Sequence, residues 1–404
     1  MKKMIALFFL TIYMLIALSG CVKEEECIPP IAQNPYFEPI SLAMGNFAQS
    51  LFLEILATRD ENAVISPLSA YYVLTMVALG AEGDTLQEFH TVLGIHPQDL
   101  ALKLSALSQD LARTRGSTTL NLAGSIWVSD YITINDDFYH AMIYYFDARA
   151  YIRNLQAQST IDEVNAWISC HTQGLIENIL DEVDDETIML LINTLYLQAR
   201  WERRFNPMGE RLGYFYPEVG APIQTTFLLS RIRHLYAVVT DYYEAVLLPY
   251  DDDRLQFFLI RPTDGAPIRE FAAAHDLIYA FSKLERYIAD VEVSMPMLDK
   301  EYEADMIPLL IAMGLELAFN QRLANLLGLV EENSTDRNVF ISDAMQKVRI
   351  RVDAEGTAAA AATVAMPSLD GGGPLQLVFN TPYIYMILDN QTGAILFIGV
   401  VDNP

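Results

Sequence analysis

Basic side chains are scarce in this sequence. Lys and Arg number 26 against 52 Asp and Glu over 404 residues, a formal net charge of -26. Phosphate binding needs clustered Lys and Arg, so nucleic acid is excluded as a partner, and an anionic membrane surface is disfavoured as an electrostatic one. Cysteine is nearly absent, with three in the chain, Cys21, Cys27 and Cys170. That excludes a disulfide framework, although a Cys27–Cys170 pair remains possible, and no C-x-x-C or Cys/His cluster suggests zinc. The six histidines, His90, His96, His140, His171, His234 and His275, include no pair at metal-ligand spacing and read as surface or packing residues. No G-x-S-x-G elbow, H-E-x-x-H or G-x-x-x-x-G-K loop occurs. Neither a metal, a cofactor nor an enzyme activity is therefore expected. The acidic runs at residues 181–186 and 251–253 could offer carboxylates to a cation, but they lack alternating ligand spacing and read as solvated loops.

What is abundant is apolar surface. Hydrophobic residues make up 52% of the chain and charged residues 19%. A large core is expected, and at ~150 residues per domain the length allows more than one unit. The first twenty residues stand apart. Lys2 and Lys3 precede an apolar run over residues 4–18, and Leu18, Ser19, Gly20 and Cys21 follow. A charged start, a short apolar stretch and small residues read as an export signal, too short for a ~20-residue membrane span. The Leu-Ser-Gly-Cys ending resembles the bacterial lipobox. That resemblance implies cleavage before Cys21, lipidation of Cys21, and a prokaryotic protein anchored to the extracytoplasmic membrane face. An uncleaved anchor, or a plain signal peptide, is the alternative. Residues 21–40 then read as a polar tether.

From about Ser41 the sequence reads as one α+β domain without internal repeats. Phe47, Leu51 and Ile55 mark an amphipathic helix. Residues 62–80 predict a short strand, then a helix opened by Pro67 and apolar nearly all round, hence buried. Residues 159–180 predict a helix with Ser159 and Asp162 in a capping-box-like relation. Residues 187–201 form a long apolar run suited to a strand buried on both faces. Further strands are expected at 244–249, 255–261 and 291–295. Val348, Ile350 and Val352 alternate with Arg349 and Arg351, a strand with one buried face. Over residues 375–401, two apolar runs flank residues 389–393 as a hairpin.

Between that alternating strand and the hairpin lies Glu355, Gly356, Thr357, Ala358, Ala359, Ala360, Ala361, Ala362, Thr363. The alanines favour helix, and a helical turn or low-complexity linker is one reading. A helix this short is marginal alone. Small side chains would instead let the segment enter a sheet without overpacking the layer beneath, and Gly356 would supply a hinge.

This segment resembles the proximal hinge of the reactive centre loop in inhibitory serpins. Asn62, Ile65, Ser66, Pro67, Leu68 and Ser69 resemble another family motif, as do Leu79, Gly80, Ala81, Gly83 and Thr85. Asn193, Trp201 and Phe205, then Leu248, Pro249 and Tyr250, and finally Phe397, Gly399 and Pro404 continue the likeness over about residues 41–404. The resemblance implies the serpin fold, with three β-sheets, surrounding helices and an exposed reactive loop at about residues 354–374. It implies a polar shutter and breach drawn from Ser66, Ser69, Asn193, Trp201 and Gln346. Departures from the pattern are Ala354 for Glu, Gln346 for His, Gly124 for Asn and Tyr383 for Phe.

The resemblance further implies a suicide inhibitor of serine, or alternatively cysteine, endopeptidases, acting as a monomer. The target cleaves the loop, and the hinge then inserts into the main sheet as a new strand. About fourteen inserted residues at ~3.3 Å each would span roughly 45 Å. Family spacing places the reactive bond between Asp370 and Gly371, with Leu369 the alternative specificity residue, then Gly371 or Met366. A non-inhibitory serpin-fold binding protein is the competing reading. Arg200, Arg203 and Arg204 read as ordinary surface charges.

Overall fold

The computed structural model describes residues 38–58, 62–112, 116–205, 209–284, 288–332, 338–357 and 374–404. Helix α1 (Glu38–Ala57) buries Phe47, Leu51 and Ile55, as their spacing requires. A two-residue strand β1 (Val64–Ile65) leads into α2 (Pro67–Ala78). Ser66 caps α2 by accepting a hydrogen bond from the Ser69 amide, and Pro67 opens its first turn, where no amide donor is required. Every residue of α2 is buried, because helices lie on one side and strands on the other. Helices α3 (Gly83–Leu93), α4 (Pro97–Leu111) and α5 (Asp136–Phe146) follow around it.

Two β-ladders organise the rest. The first is six-stranded, in the order β10 (Leu298–Asp305), β11 (Asp343–Val352), β12 (Gly356–Thr357), β4 (Met189–Arg200), β2 (Thr119–Ser129) and β3 (Arg149–Arg153). The second joins nine strands through the long β6 (Ile223–Val239). One end of β6 pairs with β5 (Arg211–Phe215) and β9 (Ile288–Pro296), which in turn holds β13 (Leu375–Val378) in parallel. The other end pairs with β7 (Tyr243–Pro249), which continues through β8 (Leu255–Pro262), β14 (Tyr383–Asp389) and β15 (Ile395–Val401) to β1. The three expected sheets are thus one six-stranded sheet and two lobes that share β6. Residues 375–401 hold the expected hairpin, β14–β15, but β13 leaves it for the other lobe.

Helix α6 (Gln158–His171) is shorter than its pattern suggested. Ala157 occupies the N-cap, and Ser159 lies within the first turn rather than capping it. The helix stops because Gln173 and Gly174 adopt positive φ. The chain then turns back, and Asn165 holds it by accepting from the Ile179 and Leu180 amides while donating to the Leu180 carbonyl. Ile176, Ile179 and Leu180 pack with Trp127, Leu190 and Ile192, so this strap covers one face of the six-stranded sheet. Cys170, exposed on α6, is disulfide-bonded.

The acidic run at 251–253 serves a turn. Asp251 accepts from Ser117, and Asp252 accepts from the Arg254 and Leu255 amides. Arg254 itself forms a two-pronged pair with Asp389, at 2.5 and 2.6 Å, and reaches Asp110 at 2.6 Å. Arg254 is 3% exposed and Asp389 fully buried, so neither charge has water as an alternative partner. Truncating one member leaves the other uncompensated. Arg254→Ala is expected to cost about 3–5 kcal/mol, read as a lowered denaturant midpoint, whereas a change under ~1 kcal/mol would mean Asp389 finds another partner. Among the described residues no group of three His, Cys, Asp or Glu is placed to hold a metal.

Candidate functional site

The six-stranded sheet has an interrupted seam. Strands β4 and β11 run parallel and pair only at one end, where residues 343–346 face residues 190–193. Beyond Asn193 and Gln346 the two strands do not pair with each other. At the far end β12 occupies the gap, with Thr357 opposite Ala199 on one side and Val352 on the other, antiparallel to both. Gly356 and Thr357, the second and third hinge residues, already form the start of a strand beside β4, and Thr357 also pairs with β11.

A tight turn places them there. The Asp353 carboxylate accepts from the Glu355 and Gly356 amides at 2.9 and 3.3 Å, an Asx-type turn. The Asp353 amide donates to the Gly356 carbonyl at 3.0 Å. Trp201 clamps the turn from β4, its indole donating to the Asp353 carbonyl and its amide to the Glu355 carbonyl, each at 3.0 Å. Phe205 donates to the Ala354 carbonyl at 2.9 Å. Arg204 lies 3.1 Å from the Glu355 carboxylate, so it belongs to the hinge rather than to the ordinary surface charges. Gly356 is required by space: a Cβ there would lie 2.1 Å from the Ala199 carbonyl oxygen and 2.6 Å from the Arg200 Cα.

Thr357 is 3% exposed and Tyr250 fully buried, with their hydroxyls 2.6 Å apart. The Tyr250 ring is fixed by stacking on Trp201, 4.7 Å between centroids and 8° from parallel. Burial raises the Tyr250 phenol above its ordinary range, so it stays protonated and can donate.

Where β4 and β11 do pair, a second polar cluster lies beneath the seam. The Gln346 amide oxygen accepts from the Ser66 amide at 2.9 Å, and its nitrogen donates to the Ser66 carbonyl at 3.0 Å. The same nitrogen is 3.5 Å from Asn193 Oδ1, which accepts from the Ser69 hydroxyl at 2.8 Å. Gln346 thus binds both backbone groups of the α2 cap, and its interactions carry no titratable group. Gly124, the neighbour of Asn193 on β2, has little room: a Cβ there would lie 3.0 Å from Met76 Sδ. On the opposite face Lys347 donates to the Asn178 carbonyl at 2.9 Å, tying β11 to the strap.

Ser66, Ser69, Asn193 and Gln346 therefore form one cluster, and Trp201, Glu355, Gly356 and Thr357 another. Ala358, Ala359, Ala360, Ala361, Ala362, Thr363, Leu369, Asp370, Gly371 and Cys21 lie outside the described residues. Sequence reasoning missed Tyr250, Asp353 and Arg204 as members of the site. Asp353 had a signal, since Asp followed three residues later by Gly is a turn pattern.

A mixed α+β body whose main sheet takes in the start of its own loop is the architecture of one inhibitor class. The chain belongs to the serpin family: the family model Serpin (serine protease inhibitor) matches residues 42–404. Members are usually protease inhibitors that bind target proteases, and some are non-inhibitory. The chain is 24% identical to human serpin I2 over 371 residues, covering 89% of this chain and 90% of that protein. It is 26% identical to human neuroserpin over 383 residues, covering 90% and 91%. Among solved structures, the native state of the thermophilic serpin Tengpin superposes with a TM-score of 0.84 at 26% identity, over 93% of this chain and 97% of that one. Thyroxine-binding globulin in complex with thyroxine shares the fold, with a TM-score of 0.79 at 20% identity over 90% and 99%.

Proposed function

We propose that this protein is a suicide inhibitor of serine endopeptidases that traps the acyl-enzyme by inserting its loop into the β4–β11 seam. The observation that carries the reading is β12: Gly356 and Thr357 already pair with β4, and Thr357 also pairs with β11. The peptidase serine oxygen attacks the carbonyl carbon of the loop residue, and the ester C–O bond forms as the peptide C–N bond breaks. The departing amine takes the proton, and the loop is severed. The free hinge then extends β12 as an antiparallel strand and carries the esterified peptidase with it. Trapping requires insertion to outpace water's attack on the ester, so the outcome is kinetic.

The reactive bond we assign is Asp370–Gly371, with Leu369 the alternative specificity residue. We further propose that residues 1–20 are an export signal and that lipidated Cys21 anchors the protein outside the cytoplasm through a tether over residues 21–40. The inhibitor then acts as a monomer at the membrane surface.

The test uses the soluble chain beginning after Cys21, mixed with a glutamyl endopeptidase, a subtilisin, a chymotrypsin and an elastase. A band of summed mass surviving boiling in denaturant is expected with at least one peptidase, and the released C-terminal peptide identifies the bond. Loop cleavage without such a band across the panel would favour a non-inhibitory binding protein, a role for which the thyroxine-bound neighbour is the structural precedent.

A further inference from the structure

The corner between α3 and α4 brings two histidines together. Gly94 ends α3 in the left-handed region, at φ +71, with its amide on the His90 carbonyl. Two residues later His96 is extended and opens α4, followed by Pro97. The Tyr71 hydroxyl donates to the Leu93 carbonyl at 2.5 Å, which fixes this corner to the buried helix α2. The His90 and His96 rings then lie 5.5 Å apart between centroids, at 63° to one another. Their spacing in sequence is not that of a ligand pair on one helix, so only the turn discloses them as neighbours.

Neither imidazole is committed elsewhere. Among the described residues neither makes a hydrogen bond or an ion pair. His90 is half-buried in the last turn of α3, and His96 is exposed. His96 occupies the N-cap of α4, where Ser, Thr, Asp or Asn would be favoured, and its side chain makes no capping bond. Helix stability therefore does not account for a histidine at that position. Edge-to-face packing tolerates centroids from ~4.5 to 7 Å apart, whereas a shared ion is more exacting. With ion–nitrogen bonds of ~2.0–2.1 Å and ring centres ~1.1 Å beyond, two imidazoles on one ion have centroids about 5.2 Å apart at a tetrahedral angle and about 5.5 Å apart at ~120°. The observed separation matches. The terminal side-chain torsion of histidine is broad, so a ring can turn either nitrogen inward at little cost.

We propose that His90 and His96 form a two-imidazole site for a divalent transition-metal ion of the Zn²⁺ and Cu²⁺ kind. Imidazole nitrogen suits these ions, whereas Ca²⁺ and Mg²⁺ require oxygen ligands. Among the described residues no third His, Cys, Asp or Glu joins the pair, so the ion completes its shell with water on the exposed His96 side. The last turn of α3 presents its carbonyl ends, which favours a cation beside His90. The start of α4 opposes a cation beside His96, and Asp99 in its first turn offsets that. The chain's net charge of -26 draws cations towards its surface. The ion clips the last turn of α3 to the first residue of α4, an arrangement that exists only in the folded chain, and so stabilises it by mass action. The site uses no residue of the seam and does not depend on the insertion reading.

The test titrates the full-length chain, in a neutral detergent and a non-coordinating buffer, with Zn²⁺ and with Cu²⁺. Each ion is expected to raise the unfolding midpoint, the folded-to-unfolded ratio growing about a hundredfold when free ion reaches ~100 times its Kd. Ca²⁺ and Mg²⁺ are expected to leave the midpoint unchanged. His90→Gln and His96→Ser should each abolish the rise. A serine at position 96 can accept from the first-turn amides of α4, so His96→Ser should match or exceed the parent's midpoint without metal, which separates loss of the ion from loss of the fold. In the Cu²⁺ complex, paramagnetic resonance should show splitting from two imidazole nitrogens in the parent and from one in either variant. A parent midpoint unmoved by both transition ions overturns the site. So does a rise that survives in either variant, or a two-nitrogen signal that persists there.

Discussion

Thr357→Arg is expected to turn the inhibitor into a substrate, with complex formation lost and loop cleavage retained. Position 357 is the mouth of the seam, 3% exposed, and its side chain meets the fully buried Tyr250. A guanidinium there would be taken out of water at a buried position, a penalty of several kcal/mol. Insertion slowed to that degree falls behind hydrolysis of the ester by orders of magnitude, since each ~1.4 kcal/mol is tenfold in rate. Ala359→Arg should act in the same way, because an inserted strand that continues the β12 register would bring residue 359 between the buried Leu197 and Ile350. Ala358→Glu is the control: in an inserted strand continuing that register its side chain would fall on the opposite face, level with Gln198 and Arg351, and most of the trapping should be kept. The measurement is the ratio of covalent complex to cleaved inhibitor on a denaturing gel. Unchanged ratios for both arginine variants would remove the insertion mechanism.

Gly356→Ala is expected to unseat the hinge in the intact protein. The added Cβ would sit 2.1 Å from the Ala199 carbonyl oxygen and 3.0 Å from its carbon, backbone that cannot swing aside. Residue 356 also has φ +156, a conformation that L side chains rarely adopt. Relief comes by expelling β12, which strands the Tyr250 hydroxyl and breaks the rung at Ala199 and Val352. The combined cost is about 2–4 kcal/mol, from strain and an unpaired buried hydroxyl. A lower unfolding midpoint and faster proteolysis near residue 357 are the expected readouts. A midpoint equal to the parent's would mean that the seam tolerates a side chain at the hinge.

Much of this architecture was legible in the sequence, for identifiable reasons. Strands buried on both faces, such as β4, announce themselves as uninterrupted apolar runs, and β11 announces itself by strict alternation. Pro67 and Ser66 mark the start of α2 through local backbone chemistry. What was not legible depends on contacts distant in sequence. The extent of α6 was overestimated because Ile176, Ile179 and Leu180 continue an apolar pattern that in fact packs a non-helical strap against Trp127 and Ile192. Tyr250 ends an apolar strand like many tyrosines, and only the fold brings Thr357, 107 residues away, to its hydroxyl. Arg204 looked like one of three surface arginines until Glu355 was placed beside it. Gln346 was expected in the shutter, but its two-way bond to the Ser66 backbone could not be read from residue types.

The placement of β14 carries a last consequence. This strand lies between β8 and β15, and β15 lies beside β1, all within the main hydrophobic core. Every one of β13, β14 and β15 follows the loop in the chain. A single cut between residues 357 and 374 therefore produces two polypeptides that share one interior. The nicked molecule is a heterodimer without a covalent link between its parts across the cut, and unfolding it becomes a dissociation. Its unfolding midpoint should then rise with protein concentration, whereas that of the uncut chain should not.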